Sequence, residues 1–268
     1  MNKTIIALAV STATLAVAMT ASADEGKLTV GSGFNYSSGD YGTTTTTRIR
    51  SVPFDLGYER GLWTFKLSVP YVDISGTANV IPGIGRVKNN NLNLRGAGGS
   101  AGSQSSGNAR GLGDMVTSAA YNLYNDSASQ FGVDVSGRIK FATADVNKGL
   151  GTGENDYGVG VDVYKKLDRI TAFGGVGYTK MGTSANIDLK NVFNASAGAS
   201  LKVSEASAVG LVVDYRERVS NSSSPRREAT VFYSFRPANA WKTQVYLLKG
   251  FSDGSPGYGA GVSANYAF

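Results

Sequence analysis

From residue 27 onward the chain alternates apolar with polar or small residues, run after run, and no other property restricts its fold so strongly. The clearest run sets Phe131, Val133, Val135, Ile139 and Phe141 against Asp134, Ser136, Arg138 and Lys140. A period of two is a strand with two unlike faces, and no helical period fits it. Trp63, Phe65, Leu67, Val69 and Tyr71 repeat the pattern against Thr64, Lys66 and Ser68. Val209, Leu211, Val213 and Tyr215 do so against Gly210, Asp214 and Arg216.

Such segments fall near 27–37, 46–58, 62–74, 112–124, 130–141, 156–165, 169–180, 191–203, 207–218, 227–236, 241–251 and 257–268. Their connections alternate in length. Short turns lie near Glu59-Arg60-Gly61, Asn125 to Ser129, Ser204-Glu205-Ala206 and Pro237-Ala238-Asn239, and Gly/Ser/Asn-rich loops at 38–45, 75–111, 142–155, 181–190, 219–226 and 252–256. An even number of strands with alternating short and long connections predicts an all-β, up-and-down antiparallel transmembrane barrel of twelve strands, with both ends on the periplasmic side.

A soluble β-sandwich also alternates, so the distribution of charge decides between the two. On the apolar face, Tyr58, Trp63, Phe131, Tyr233, Trp241 and Phe268 cluster near the short turns, and Tyr71, Phe141, Tyr157, Tyr178, Tyr215 and Tyr258 near the long loops. These are the two aromatic girdles of a lipid-facing band. Lys165 and Lys249 stand on this face only at strand ends, where a long amine reaches the interface. The other face carries Lys66, Asp114, Asp134, Arg138, Lys140, Asp162, Lys202, Asp214, Arg216, Glu228, Arg236 and Lys242. A sandwich core could not bury so many ions, whereas a lumen can hold them.

The first stretch joins Lys3, an apolar run from Ile5 to Met19, and Ala21-Ser22-Ala23 before Asp24. It predicts a secretory signal peptide, residues 1–23, cleaved after Ala23, with one barrel domain over 24–268. The chain has no Cys, hence no disulfide framework and no thiolate metal site, and no His, the commonest general base and metal ligand. Neither a cofactor nor a metal is expected. The net charge of +6 comes from scattered basic residues without a run of five, which argues against a nucleic-acid partner. The expected partners are outer-membrane lipid and a small-molecule solute. The face Tyr258, Ala260, Val262, Ala264, Tyr266, Phe268 ends on an aromatic, so Phe268 is the residue expected to engage the barrel-assembly machinery.

Three stretches carry a family resemblance: SVPYVDISGTANVIPG at 68–83 with GLGDM at 111–115, KFATADVNKGLGTGENDYG at 140–158, and KGFSDGSPGYGAG at 249–261. Together they resemble a proteobacterial family of outer-membrane proteins usually labelled only as transporters or porins. The resemblance implies a barrel and outer-membrane transport, without a defined solute or catalytic residue.

The lumenal cations could steer anionic or polar solutes, or they could be locked with Asp114, Asp134, Asp162, Asp214 and Glu228 in a lattice that fills the interior. The loop acids Asp145, Glu154, Asp156 and Asp253 could hold Ca²⁺ or simply shape turns. In the long loop, Val80, Ile81, Pro82, Gly83 and Ile84 form an apolar patch that folds inward to constrict the lumen, binds a hydrophobic solute at the mouth, or packs on its own rim. The expected function is a channel or transporter for small polar, anionic or moderately hydrophobic solutes through a narrow charged lumen. The rivals are a non-conducting structural or adhesion barrel and, with no His to serve it, an enzyme barrel.

Overall fold

The computed structural model describes residues 26–90 and 106–268, together with a short antiparallel pair, Ile6–Leu8 with Leu15–Val17. The remainder of the expected signal peptide, and its cleavage position, lie outside the described residues.

Twelve strands make the wall: β1 (Lys27–Gly39), β2 (Thr47–Arg60), β3 (Trp63–Thr77), β4 (Met115–Asp126), β5 (Phe131–Phe141), β6 (Asp156–Leu167), β7 (Ile170–Lys180), β8 (Val192–Ser204), β9 (Ser207–Arg216), β10 (Arg226–Phe235), β11 (Trp241–Gly250) and β12 (Tyr258–Ala267). Each pairs antiparallel with its sequence neighbours, and β12 closes on β1 through register pairs from Tyr258↔Ser38 to Ala267↔Thr29. The ring therefore has no edge, so the ladder satisfies the backbone polar groups without water. At about 3.3 Å per residue, tilted strands of this length cross an apolar band ~25 Å tall.

The predicted ranges match within a few residues, with one difference at the long loop. There β3 continues to Thr77, and a further strand, Ser106–Leu112, pairs with its upper half from Tyr71↔Leu112 to Thr77↔Ser106. β4 pairs with the lower half of β3, so the 106–112 strand and β4 form one stave interrupted at Gly113-Asp114. The interruption frees Asp114 from the ladder and turns its side chain to the interior.

Turn chemistry ends the strands at the short-turn rim. Gly61, at φ 60°, sits in the β2–β3 turn, and Asp168, at φ 56°, in the β6–β7 turn. Asp tolerates this left-handed conformation better than most side chains do. Along the strands, the outward residues are apolar and uncovered: Leu247 is 69% exposed, Val159 65% and Val176 63%. Trp63, Trp241 and Phe268 are likewise exposed near the short turns, and Tyr71, Tyr157 and Tyr258 near the long loops.

Candidate functional site

The outer end of the barrel is occupied by its own loops. Val80–Ile81 and Gly85–Arg86 form a small hairpin that folds inward, so the apolar patch of the long loop is not a rim feature. Ile81, Ile84 and Val87 join Met181, Ile187, Leu189, Val192 and Val219 in a buried apolar cluster. Asn89 bridges to Ile187, tying the first of these loops to the second. From the wall, Arg216 clamps the hairpin: Nη1 donates to the Gly83 carbonyl at 2.9 Å and Nη2 to the Ile84 carbonyl at 2.6 Å. Arg86 Nη1 donates to the Gly42 carbonyl at 2.6 Å, binding the hairpin to the first long loop. Next to Gly42, burial pushes the phenol of Tyr41 up to about 12.

A polar knot lies where two of the resembling motifs meet. Lys140 Nζ is 3.0 Å from Asp114 Oδ2 and 3.1 Å from Asp156 Oδ2, and donates to Thr152 Oγ1 at 2.8 Å. Lys140, Thr152 and Asp156 are buried. Asp114 Oδ1 also accepts the Ala144 N–H at 3.0 Å, and Asp156 Oδ1 the Gly182 N–H at 2.9 Å. One ammonium thus ties the broken stave, β5, β6 and the 142–155 loop together. Such a group is costly to bury singly and is stable only with its partners in place.

Beneath the cap a cavity of about 570 Å³ runs from Lys27, Glu59 and Ala267 at the short-turn rim to Ile81, Pro82 and Gly83 under the hairpin. Among the described residues seven cationic side chains line it, Lys27, Lys66, Arg138, Lys140, Arg216, Arg226 and Lys242. Eight carboxylates do so as well, Asp55, Glu59, Asp114, Asp134, Asp156, Asp162, Asp214 and Glu228. The interior is therefore close to neutral, although the chain as a whole carries +6.

The charges are striped. Direct register links Asn122, Asp134, Asp162, Gly175, Ser196, Asp214 and Glu228 across seven successive strands, an acidic row that climbs from the short-turn end to the long-loop end. Asn122 Nδ2 donates to Asp134 Oδ1 at 2.6 Å. Arg216 and Arg226 face each other one lumenal row above Asp214 and Glu228, and Lys66 and Arg138 share a neighbour, Ser118, two rows above Asp134. A second component is apolar: Tyr164, Phe173, Val212 and Phe232 cluster inside the wall with Tyr246 against them. Each aromatic lies directly across from a glycine, Tyr164 from Gly132, Phe173 from Gly198, Phe232 from Gly210 and Tyr246 from Gly261. The missing Cβ lets each ring lie flat on the neighbouring strand.

Of the expected lumenal residues, Lys66, Asp114, Asp134, Arg138, Lys140, Asp162, Asp214, Arg216, Glu228 and Lys242 line the cavity, and two do not. Lys202 leans out at the short-turn rim and pairs with Glu205 at 2.7 Å, which holds the Glu205 carboxyl below its ordinary range. Arg236 lies past the end of β10, its N–H on the Ala206 carbonyl. The four loop acids separate. Asp145 accepts the N–H groups of Asn147 and Lys148 in its own turn, Asp156 belongs to the knot, Glu154 abuts Gly182 and Asp253 abuts Gly42. Among the described residues no three acidic side chains gather as metal ligands would. Sequence reasoning missed the aromatic wall and Arg226. The available signal was a bulky ring at a lumen-facing position opposite a glycine.

The family model described as "Putative MetA-pathway of phenol degradation" matches residues 20–268. The chain belongs to this family. No curated protein matches it. Among solved structures, this family member is similar to an outer membrane channel from Pseudomonas putida F1, with a TM-score of 0.70 at 10% identity, covering 92% of this chain and 97% of that one. It is also similar to the KdgM porin, with a TM-score of 0.55 at 9% identity over 90% of this chain and 99% of that one. The translocator domain of autotransporter NalP from Neisseria meningitidis gives 0.50 at 11% identity, over 91% and 88% of the two chains. At these identities the likeness establishes a shared fold, that of outer-membrane barrels.

Proposed function

We propose that this barrel is an outer-membrane channel for small amphipathic solutes, of the size and character of a hydroxylated aromatic acid, closed at rest by its inserted hairpin. The observation that carries this is the composition of the lumen: Val212 and Tyr246 of the aromatic cluster, with Ile81 and Ile84 of the hairpin, line the same cavity of about 570 Å³ as a balanced, striped set of charges. A ring finds an apolar face there, and a hydroxyl or carboxylate finds donors such as Arg138 and Lys66 within the same cavity. The family description, which refers to phenol degradation, agrees with that solute class. The chain is exported by a signal peptide cleaved after Ala23, and Phe268, 73% exposed beside Tyr266, is offered to the assembly machinery. No catalytic role is assigned to any residue.

The test is solute entry into liposomes holding the purified barrel, with 4-hydroxybenzoate and a bulkier disaccharide compared, alongside planar-bilayer conductance. Faster entry of the aromatic acid than of the disaccharide, with small and weakly selective conductance, is expected. Entry no faster than into protein-free liposomes would favour the structural-barrel alternative, which the packed cap also suits.

A further inference from the structure

The outward face carries a concentration of cations at the long-loop rim, away from the lumen. Arg48, Arg50, Arg227 and Lys249 are all exposed there, and none of them lines the cavity. The strands bring them together. Lys249 pairs with Tyr258, Tyr258 with Ser38 and Ser38 with Arg48, one row across β11, β12, β1 and β2. Neighbouring strands lie about 4.8 Å apart, so this row is ~15 Å long. The Arg227 carbonyl accepts the N–H of Phe251, two residues beyond Lys249, which sets Arg227 at the same rim. Arg50 follows Arg48 on the same face and faces the carboxylate of Asp73, at 4.0 Å and half exposed.

Directly below this patch the wall is apolar. Leu247 pairs with Val231, Val245 with Val262, and Val262 with Phe34, all of them exposed. Tyr36 and Tyr258, with ring centroids 6.2 Å apart, mark the boundary between the two zones. On the opposite arc the same height is different: Phe141 ends β5, Tyr157 begins β6 and Phe193 begins β8, with Lys180 at the end of β7.

We infer that this face binds a phosphorylated glycolipid of the outer leaflet, its phosphates on Arg48, Arg227 and Lys249 and its acyl chains along Leu247, Val262 and Phe34. Cations immediately above an apolar wall match a molecule that carries phosphate above hydrocarbon. A soluble protein partner would not need the apolar wall below, and a zwitterionic lipid would leave the cations without net counter-charge. The inference rests on the barrel lying in a membrane and is independent of what it carries.

The experiment measures retention of diphosphoryl lipid A by the full barrel in detergent, by native mass spectrometry, against the same lipid with its phosphates removed. The triple variant Arg48→Gln/Arg227→Gln/Lys249→Gln is expected to weaken binding by at least about tenfold. The double variant Lys165→Gln/Lys180→Gln, which removes two cations elsewhere on the outward face, should leave it within about twofold. Asp73→Asn, which removes the nearby negative charge, should strengthen it, and this readout survives even if the triple variant folds poorly. Inorganic pyrophosphate should not displace the lipid. Equal retention of the dephosphorylated lipid, equal loss in the control double variant, or displacement by pyrophosphate would each overturn the assignment.

Discussion

Arg216 Nη2 lies 2.6 Å from the carbonyl oxygen of Ile84, joining the barrel wall to a loop residue 132 positions earlier in the chain. The guanidinium serves two carbonyls at once, and its neighbour across the ladder is another cation, Arg226. A group placed beside a like charge is held there by what it binds, and here that is the inserted hairpin.

Replacing Arg216 with Gln should therefore loosen the cap. The carbonyls of Gly83 and Ile84 lose a charge-assisted donor, at a cost of about 1–3 kcal/mol. The expected readout in planar bilayers is a larger or noisier conductance than that of the parent, with heat-modifiable mobility retained. Identical conductance in the two proteins would mean that the hairpin does not restrict the path.

Lys140 behaves as scaffold, which separates it from Arg138 two residues away. Lys140→Met leaves Asp114 and Asp156 buried without their cation, and losses of this kind cost about 3–5 kcal/mol. The temperature at which the folded, fast-migrating form unfolds should fall clearly. Adding Asp156→Asn to the same chain should recover part of that loss, because one uncompensated carboxylate is removed. No recovery would show that Lys140 contributes through packing instead.

Most of the wall was legible in the sequence because a strand between lipid and lumen must alternate, and residues such as Phe131 and Asp134 record that on every stave. What was not legible depends on contacts between distant segments. Nothing local marks Lys140 as the partner of Asp114 or Arg216 as the partner of Gly83, since the pairs are brought together by barrel closure. Lys202 has the parity of a lumenal residue, but lies at the end of β8 and folds back on Glu205 three residues later. The aromatic wall was hidden for another reason: Tyr164 and Phe232 occupy lumen-facing positions where a polar side chain is the default expectation.

That wall makes its own prediction through its glycines. A methyl group added at Gly210 would overlap the Phe232 ring, and one added at Gly132 the Tyr164 ring. Gly210→Ala should therefore displace the ring or lower barrel stability, by about 1–3 kcal/mol for overpacking of this kind. Gly137→Ala is the control, since nothing lies within 4 Å of the added carbon. Comparing the unfolding temperatures of the two variants checks the point. A Gly210 variant as stable as the Gly137 variant would show that Phe232 is not seated on its partner strand.

The last prediction concerns Arg138. It lines the cavity near Gly158 and shares with Lys66 the neighbour Ser118, two lumenal rows above Asp134. Among the described residues the cavity is lined by seven cations and eight carboxylates, so a single reversal is a large fraction of its net field. Arg138→Glu removes one positive charge and adds one negative, which should move the reversal potential in a salt gradient toward cation selectivity. The shift should shrink as salt rises, since a Debye length of ~10 Å at about 0.1 M contracts to ~3 Å at about 1 M. Lys140→Glu on the same background should alter stability far more than selectivity, because the knot holds that side chain away from free solution. If the two substitutions shift the reversal potential equally, the division between a lining Arg138 and a structural Lys140 fails. If neither does, ions do not pass this part of the lumen.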